Sequence, residues 1–173
     1  RSFRHRRILA GIVLLLLVTW IGWLLRGSID RHTSVVKFTG SVLQVLNKSG
    51  AVLKEINVGS NAVSSSTTRK LAETVDADDD GYNEVVYGLL NPMPSQVICL
   101  DINGDSVLWQ IQLSRALRFP NSADLIDDRF RVQQIDACDL DGNGVKELLV
   151  SAKHDFFPSY LMVLDARTGK ERS

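Results

Sequence analysis

The sequence predicts an all-β domain built from a repeated four-stranded unit and preceded by one N-terminal transmembrane α-helix. Three observations predict it. Residues 8–25 form an uncharged apolar run, short Val/Ile/Leu-rich runs separated by turn residues follow Gly27, and the order of those runs recurs at an offset of 63 or 64 residues.

The helix comes first along the chain. Residues 8–25 read ILAGIVLLLLVTWIGWLL, with Thr19 as the one polar side chain. At 1.5 Å per residue this run spans about 27 Å, close to the ~30 Å hydrocarbon core of a bilayer. Arg1, Arg4, Arg6 and Arg7 crowd its N-terminal side, and Trp20 and Trp23 lie near the far end, where amphipathic rings favour the interface. Arg26 and Arg31 follow, but Asp30 accompanies them. The positive-inside rule therefore makes 1–7 a cytoplasmic basic flank and 8–25 a signal anchor set N-in. Residues 26–40 are read as a juxtamembrane linker, and everything beyond lies in the extracellular or periplasmic space. The competing reading is a cleaved signal peptide. Against it, the run exceeds the ~7–15 residues of an h-region and no small-x-small cleavage site follows Leu25.

Composition narrows the function classes. The net charge is zero and no basic patch follows the anchor, which leaves nucleic-acid binding without electrostatic support. The residues after Gly27 are enough for one domain with a core. The chain opens on Arg1 rather than Met and closes inside a hairpin-like pattern, so a longer parent protein is expected. Cys99 and Cys138 would meet an oxidising compartment, where a disulfide competes with burial as two small hydrophobes.

Strands are predicted at Val42–Asn47, 51–58, 84–90, Gln96–Asp101, 106–113, 131–136, 147–152 and 160–165. Turn residues separate them at 48–50, 103–105 and 168–170, and the Ser/Thr-rich stretch 61–68 reads as a surface loop. One unit runs from a strand at 70–75 through an acidic loop into a second strand, then a third, a tight turn and a fourth. The next unit begins at 131 and repeats this order, with Asp139 in the place of Asp76 and Leu164 in the place of Leu100. Upstream, 41–58 repeats only the third and fourth strands.

A four-stranded antiparallel unit at this spacing is what a β-propeller blade looks like. The expectation is a partial propeller of about two and a half blades: half-blade 41–58, blade 68–113 and partial blade 130–173. A β-sandwich competes, but the acidic loop always falls between the first and second strands, which favours the propeller. Propellers close with typically 4–8 blades. Further blades are therefore expected beyond Ser173, with far C-terminal strands completing the half-blade.

The acidic loops carry the chemistry. The first reads Asp76-Ala-Asp78-Asp-Asp80-Gly-Tyr82-Asn-Glu84 and the second Asp139-Leu-Asp141-Gly-Asn143-Gly-Val145-Lys-Glu147. Each sets oxygen-bearing side chains at positions 1, 3, 5 and 9, with glycine at 6. Calcium takes six to eight hard oxygens, and alternating acidic residues in a turn can converge on one point. Asp76, Asp78, Asp80 and Glu84, with the backbone carbonyl of Tyr82, are the predicted ligands of one Ca²⁺ ion. Asp139, Asp141, Asn143 and Glu147, with the carbonyl of Val145, are those of a second. This is not an EF-hand, whose closing Glu stands at position 12 between helices. Solvated acidic turns are the competing reading for a single loop. Asp101-Ile-Asn-Gly-Asp105-Ser also begins D-x-N-x-D, but Ser106 replaces the glycine and Trp109 stands at position 9, so it reads as a hairpin turn.

DADDDGYNEVVYG and DLDGNGVKELLVS resemble the FG-GAP (VCBS-type) repeats of integrin-alpha-like β-propellers, whose core is D-x-[DN]-x-D-G-x-x-[DE] followed by an apolar strand. With flanking strands the two copies cover most of 68–173. Asn143 departs conservatively from the motif, and 41–58 has no such loop. VICLDINGDSVLWQIQL and YLMVLDARTGKE also resemble blade strands of quinoprotein-type propellers, in shape only. The resemblance implies a calcium-rigidified propeller that contacts its ligand, an extracellular protein or glycan, elsewhere on its face.

The expected function is thus a membrane-anchored, non-enzymatic binding, adhesion or scaffold module. The alternative is the sensor of a single-pass receptor with a kinase or DNA-binding output domain before Arg1; an enzyme on a propeller scaffold is a third class. The chain offers no Ser-His-Asp ordering with supporting motifs, no phosphate-cradling glycine loop and no zinc-type Cys/His cluster. His5 and His32 flank the helix. His154 is read as a loop residue at the surface, and Phe119, Pro120, Phe156 and Phe157 as inter-strand residues that fill a core or form a ligand patch.

Overall fold

The nine apolar runs that turn residues separate become strands close to where the pattern places them, and two short strands and one unpredicted strand complete the set. The structure, a computed structural model, describes residues 32–59, 70–114, 117–118, 125–126, 130–154 and 159–172. The predicted helix at 8–25, the loop 61–68 and Phe119, Pro120, Phe156 and Phe157 lie outside the described residues. Among the described residues no helix is long and apolar enough to cross a membrane.

The described chain is all-β. Its strands are β1 (Thr33–Thr39), β2 (Val42–Asn47), β3 (Val52–Asn57), β4 (Ala72–Val75), β5 (Glu84–Leu89), β6 (Gln96–Asp101), β7 (Ser106–Gln112), β8 (Leu117–Arg118), β9 (Leu125–Ile126), β10 (Phe130–Cys138), β11 (Glu147–His154) and β12 (Ser159–Asp165). They form antiparallel sheets in sequence order: β1-β2-β3, β4-β5-β6-β7 and β10-β11-β12, with β8-β9 as a small hairpin. β1 corrects the reading of 26–40 as a linker throughout. TSVVKFT carries too few apolar residues to stand out, and only pairing with β2 buries its alternate side chains.

The repeat recurs in the strand register. Val75 faces Glu84 and Ala72 faces Tyr87 in the second sheet; 63 residues later, Cys138 faces Glu147 and Ile135 faces Val150 in the third. The turns recur too. Asn47, Asp101 and Asp165 end the equivalent strands β2, β6 and β12, and the Oδ1 of each accepts backbone N–H bonds from its own turn: Ser49 and Ala51, Asn103 and Gly104, and Thr168 respectively. The Asp101 segment is therefore a hairpin turn, as its sequence indicates. Beyond Gly169 the chain returns along β12, where Leu164 bridges Glu171 and the Arg172 N–H bonds the Val163 carbonyl at 2.8 Å.

The three sheets stack face to face through two cores. On one face of the second sheet, Val85, Tyr87, Ile98 and Leu100 pack with Leu43 and Val45 of the first. On its other face, Val86, Val97, Cys99, Trp109 and Leu113 pack with Phe130, Val132, Ile135, Leu148, Val150 and Leu164 of the third. Successive residues of β5 thus point into different cores. This is why EVVYGL reads as a continuous apolar run rather than an alternating one.

Close approach sets the spacing of the second and third sheets. A Cβ on Gly88 would stand 2.7 Å from Val132 Cγ1, so only glycine fits there without a shift. The Trp109 indole N–H donates to the Ala166 carbonyl at 2.8 Å, and its ring lies against Gly169. The Ser95 N–H bonds the Phe130 carbonyl at 2.9 Å, and the Ile135 N–H bonds the Lys70 carbonyl at 2.8 Å. The Lys70 ammonium pairs with Glu73 and, at 2.9 Å, with Asp136. The hydrogen bond to Glu73 foremost raises the Lys70 pKa, and Lys70 in turn lowers that of Asp136.

His154 is not a surface loop residue. It ends β11 at 7% exposure with its ring 5.4 Å from that of Phe130, edge-on, because β11 runs two residues further than the sequence suggests. Cys99 and Cys138 are both free thiols. Burial, reinforced by the Glu84 carboxylate, pushes the Cys99 thiol up to about 12, which keeps it protonated and unreactive.

Candidate metal centres

Each acidic loop joins the first and second strands of its sheet: 76–83 links β4 to β5, and 139–146 links β10 to β11. The two loops share three internal hydrogen bonds at equivalent residues, and the second adds two more, from the Gly142 and Asn143 N–H groups to Asp139 Oδ1. Asp76 Oδ2 accepts the Gly81 N–H at 3.2 Å, and Asp139 Oδ2 accepts that of Gly144 at 2.9 Å. Asp78 Oδ1 accepts the Asp80 N–H and Asp141 Oδ1 the Asn143 N–H, both at 3.2 Å. Asp80 Oδ1 accepts the Tyr82 N–H and Asn143 Oδ1 the Val145 N–H, both at 2.7 Å. Gly81 and Gly144 share φ = +87°, a conformation that side chains resist. Four backbone and side-chain features recurring at one offset mark a built loop geometry rather than two unrelated polar turns.

The closing glutamates are the telling residues. Glu84 and Glu147 are each 1% exposed, the first residues of β5 and β11, with carboxylates directed back beneath their loops. Glu84 Oε2 accepts the Ala77 N–H at 2.6 Å, and Glu147 Oε2 accepts the Leu140 N–H at 2.8 Å. Three carboxylates converge at each place, Asp76, Asp78 and Glu84 in one and Asp139, Asp141 and Glu147 in the other, with one oxygen from each within 4.8 Å of the others. Either cluster could hold a metal ion.

The predicted ligands are not all gathered equally. Asp80 falls outside the three-carboxylate cluster and is exposed, with its Oδ1 engaged by the Tyr82 N–H. Asn143 is likewise exposed, and its Oδ1 caps Val145. Tyr82 and Val145 are exposed, and the Tyr82 ring stacks on His32 at 4.7 Å. Asn83 adds a 3.0 Å bond to the Thr33 carbonyl, docking the first loop on the start of β1.

Electrostatics shows what the first cluster lacks. Burial raises the Glu84 pKa to about 7; the Ala77 N–H opposes that rise, while Asp78, Asp80 and Asp76 add to it. Asp76 Oδ1 is enclosed with no hydrogen-bond donor. Of the three carboxylates only Glu84 is buried, and a cation among them would offset the cost of its charge. Hard oxygens in a turn are the donor set of a hard divalent cation.

A pH dependence follows for the metal-free chain. The folded-state pKa of Glu84 lies above its ordinary value near 4.5, so its stabilising contribution is complete below that value and is lost as pH rises through about 7. In chelator, the melting temperature should decline between about pH 5 and 8. Glu84→Gln should make that decline shallower. An equal slope in the two chains would show that Glu84 ionises without penalty.

Sequence reasoning missed two cations beside these loops. Arg167, in the turn after β12, pairs with Asp79 of the first loop. Arg172 Nη1 lies 2.6 Å from Glu147 Oε1 and 3.2 Å from Asp141 Oδ2. Glu147 Oε1 receives no aligned hydrogen bond, so the guanidinium meets it as an ion-pair neighbour. No local sequence signal marks either arginine; the return of the chain along β12 brings Arg172 there.

Compared with models of known protein families and with curated proteins, the chain matches none.

Proposed function

We propose that this chain is a membrane-anchored, extracytoplasmic β-propeller segment of the FG-GAP type that binds two calcium ions and serves as a non-enzymatic binding, adhesion or scaffold module. One observation carries the reading. Two loops 63 residues apart, each between the first and second strands of a sheet, repeat the same hydrogen bonds and the same buried glutamate. A propeller supplies blades in this way, as antiparallel sheets stacked face to face and repeating in register. Calcium is the cation that an all-oxygen, turn-built site favours. The apolar run at 8–25 with its arginine flank supports an N-in anchor, which sets the loops where calcium reaches the millimolar range of extracellular modules. The partner would be an extracellular protein or glycan held on a face of the assembled propeller.

Variants of the full chain test the two sites separately. Calcium is expected to raise the melting temperature, Asp78→Ala and Asp141→Ala each to remove part of the rise, and the double variant to abolish it. A double variant that responds to calcium like the parent chain would sink the assignment of these loops.

A further inference from the structure

The two acidic clusters differ in one respect that the repeat makes visible. Asp141 and Glu147 of the second cluster are met by a cation of the protein's own, and among the described residues Asp76, Asp78 and Glu84 of the first are not. We infer that Arg172 is a built-in competitor for metal at the 139–147 loop, so the two sites are unequal and the second fills only by displacing the guanidinium. The inference rests on the calcium reading above.

Position comes from the backbone. The Arg172 N–H bonds the Val163 carbonyl, and Glu171 bridges Leu164, which fixes the residue beside β12. From there Nη1 contacts Asp141 Oδ2 and Glu147 Oε1, two of the three carboxylates a metal would use. Glu147 is 1% exposed and its Oε1 is sealed from solvent, so it is a group of the protein, the Arg172 guanidinium, that meets it. A guanidinium stays charged at every working pH and donates in a fixed plane. It cannot share an oxygen with a divalent ion at coordination distance without like-charge repulsion. Metal entry therefore exchanges two ion-pair contacts for coordination bonds, and the net gain is smaller than at a cluster with no such cation.

Among the described residues the first cluster has no equivalent cation. The offset of 64 that relates Leu164 to Leu100 carries Arg172 back to Leu108, which lies between Val107 and Trp109, the partners of Leu100 and Cys99. Leucine brings no charge. Arg167 reaches the first loop only at Asp79, which lies outside the three-carboxylate group.

Calcium chloride titrated calorimetrically into the full 173-residue chain tests this. Two steps are expected, with Arg172→Gln tightening the weaker step by about tenfold or more and leaving the tighter one unchanged. Arg172→Lys should tighten it less. As a reciprocal test independent of Arg172 variants, Leu108→Arg should weaken the tighter step. Two equal steps in the parent chain, or an Arg172→Gln chain whose weaker step is unchanged or weaker still, would overturn the inference while leaving the calcium reading intact. No heat of binding in any chain would overturn both.

Discussion

Replacing Trp109 by alanine is expected to cost about 3–5 kcal/mol, a large share of the ~5–15 kcal/mol that keeps a domain folded. Trp109 belongs to β7, yet it joins the core shared with the third sheet, and its indole N–H donates to the carbonyl of Ala166, beyond β12. Truncation removes a large apolar side chain from the core that the two sheets share and leaves the Ala166 carbonyl buried without that donor. Trp109→Phe keeps most of the ring and loses the hydrogen bond, so it should cost about 1–3 kcal/mol. Denaturant midpoints at unchanged slope measure both. A Trp109→Ala chain within about 1 kcal/mol of the parent would mean that the two sheets do not share this core.

Gly169→Val is the second large effect, expected at about 2–6 kcal/mol. Two independent costs act in the same direction. Gly169 holds φ = +66°, where a β-branched residue is strained by about 1–3 kcal/mol. Its Cβ would also stand 2.6 Å from Trp109 Cε3, and overpacking of that kind costs a further ~1–3 kcal/mol. The second cost depends on the indole. In a Trp109→Ala background the clash disappears and only backbone strain is left, so the double variant should be less destabilised than the sum of the singles. Strict additivity would place the ring elsewhere than against this turn.

Much of this architecture was legible in the sequence because each sheet is made of neighbours along the chain. Val42–Asn47 and Gln96–Asp101 were readable to the residue, since turn chemistry at Asn47 and Asp101 ends each strand. The acidic loops were readable because their pattern is local: four oxygen-bearing positions and one glycine state it. What escaped depends on contacts between distant segments. β1 gains its identity only from β2, His154 is buried by Phe130 across the sheet, and Arg172 reaches Glu147 only once the chain has turned back along β12. Nothing in the spacing reveals that Asp80 and Asn143 spend their Oδ1 atoms on capping their own turns.

The most direct measurement is the thermal unfolding of the 173-residue chain at neutral pH, first in chelator and then as calcium is raised to the millimolar range. Two sites that bind only the folded state should raise the melting temperature progressively; each ion adds about 2.7 kcal/mol once its free concentration is a hundred times its Kd. Magnesium, which demands a tighter octahedral shell, should do much less. A melting temperature that does not move with calcium would contradict the assignment of both loops as metal centres.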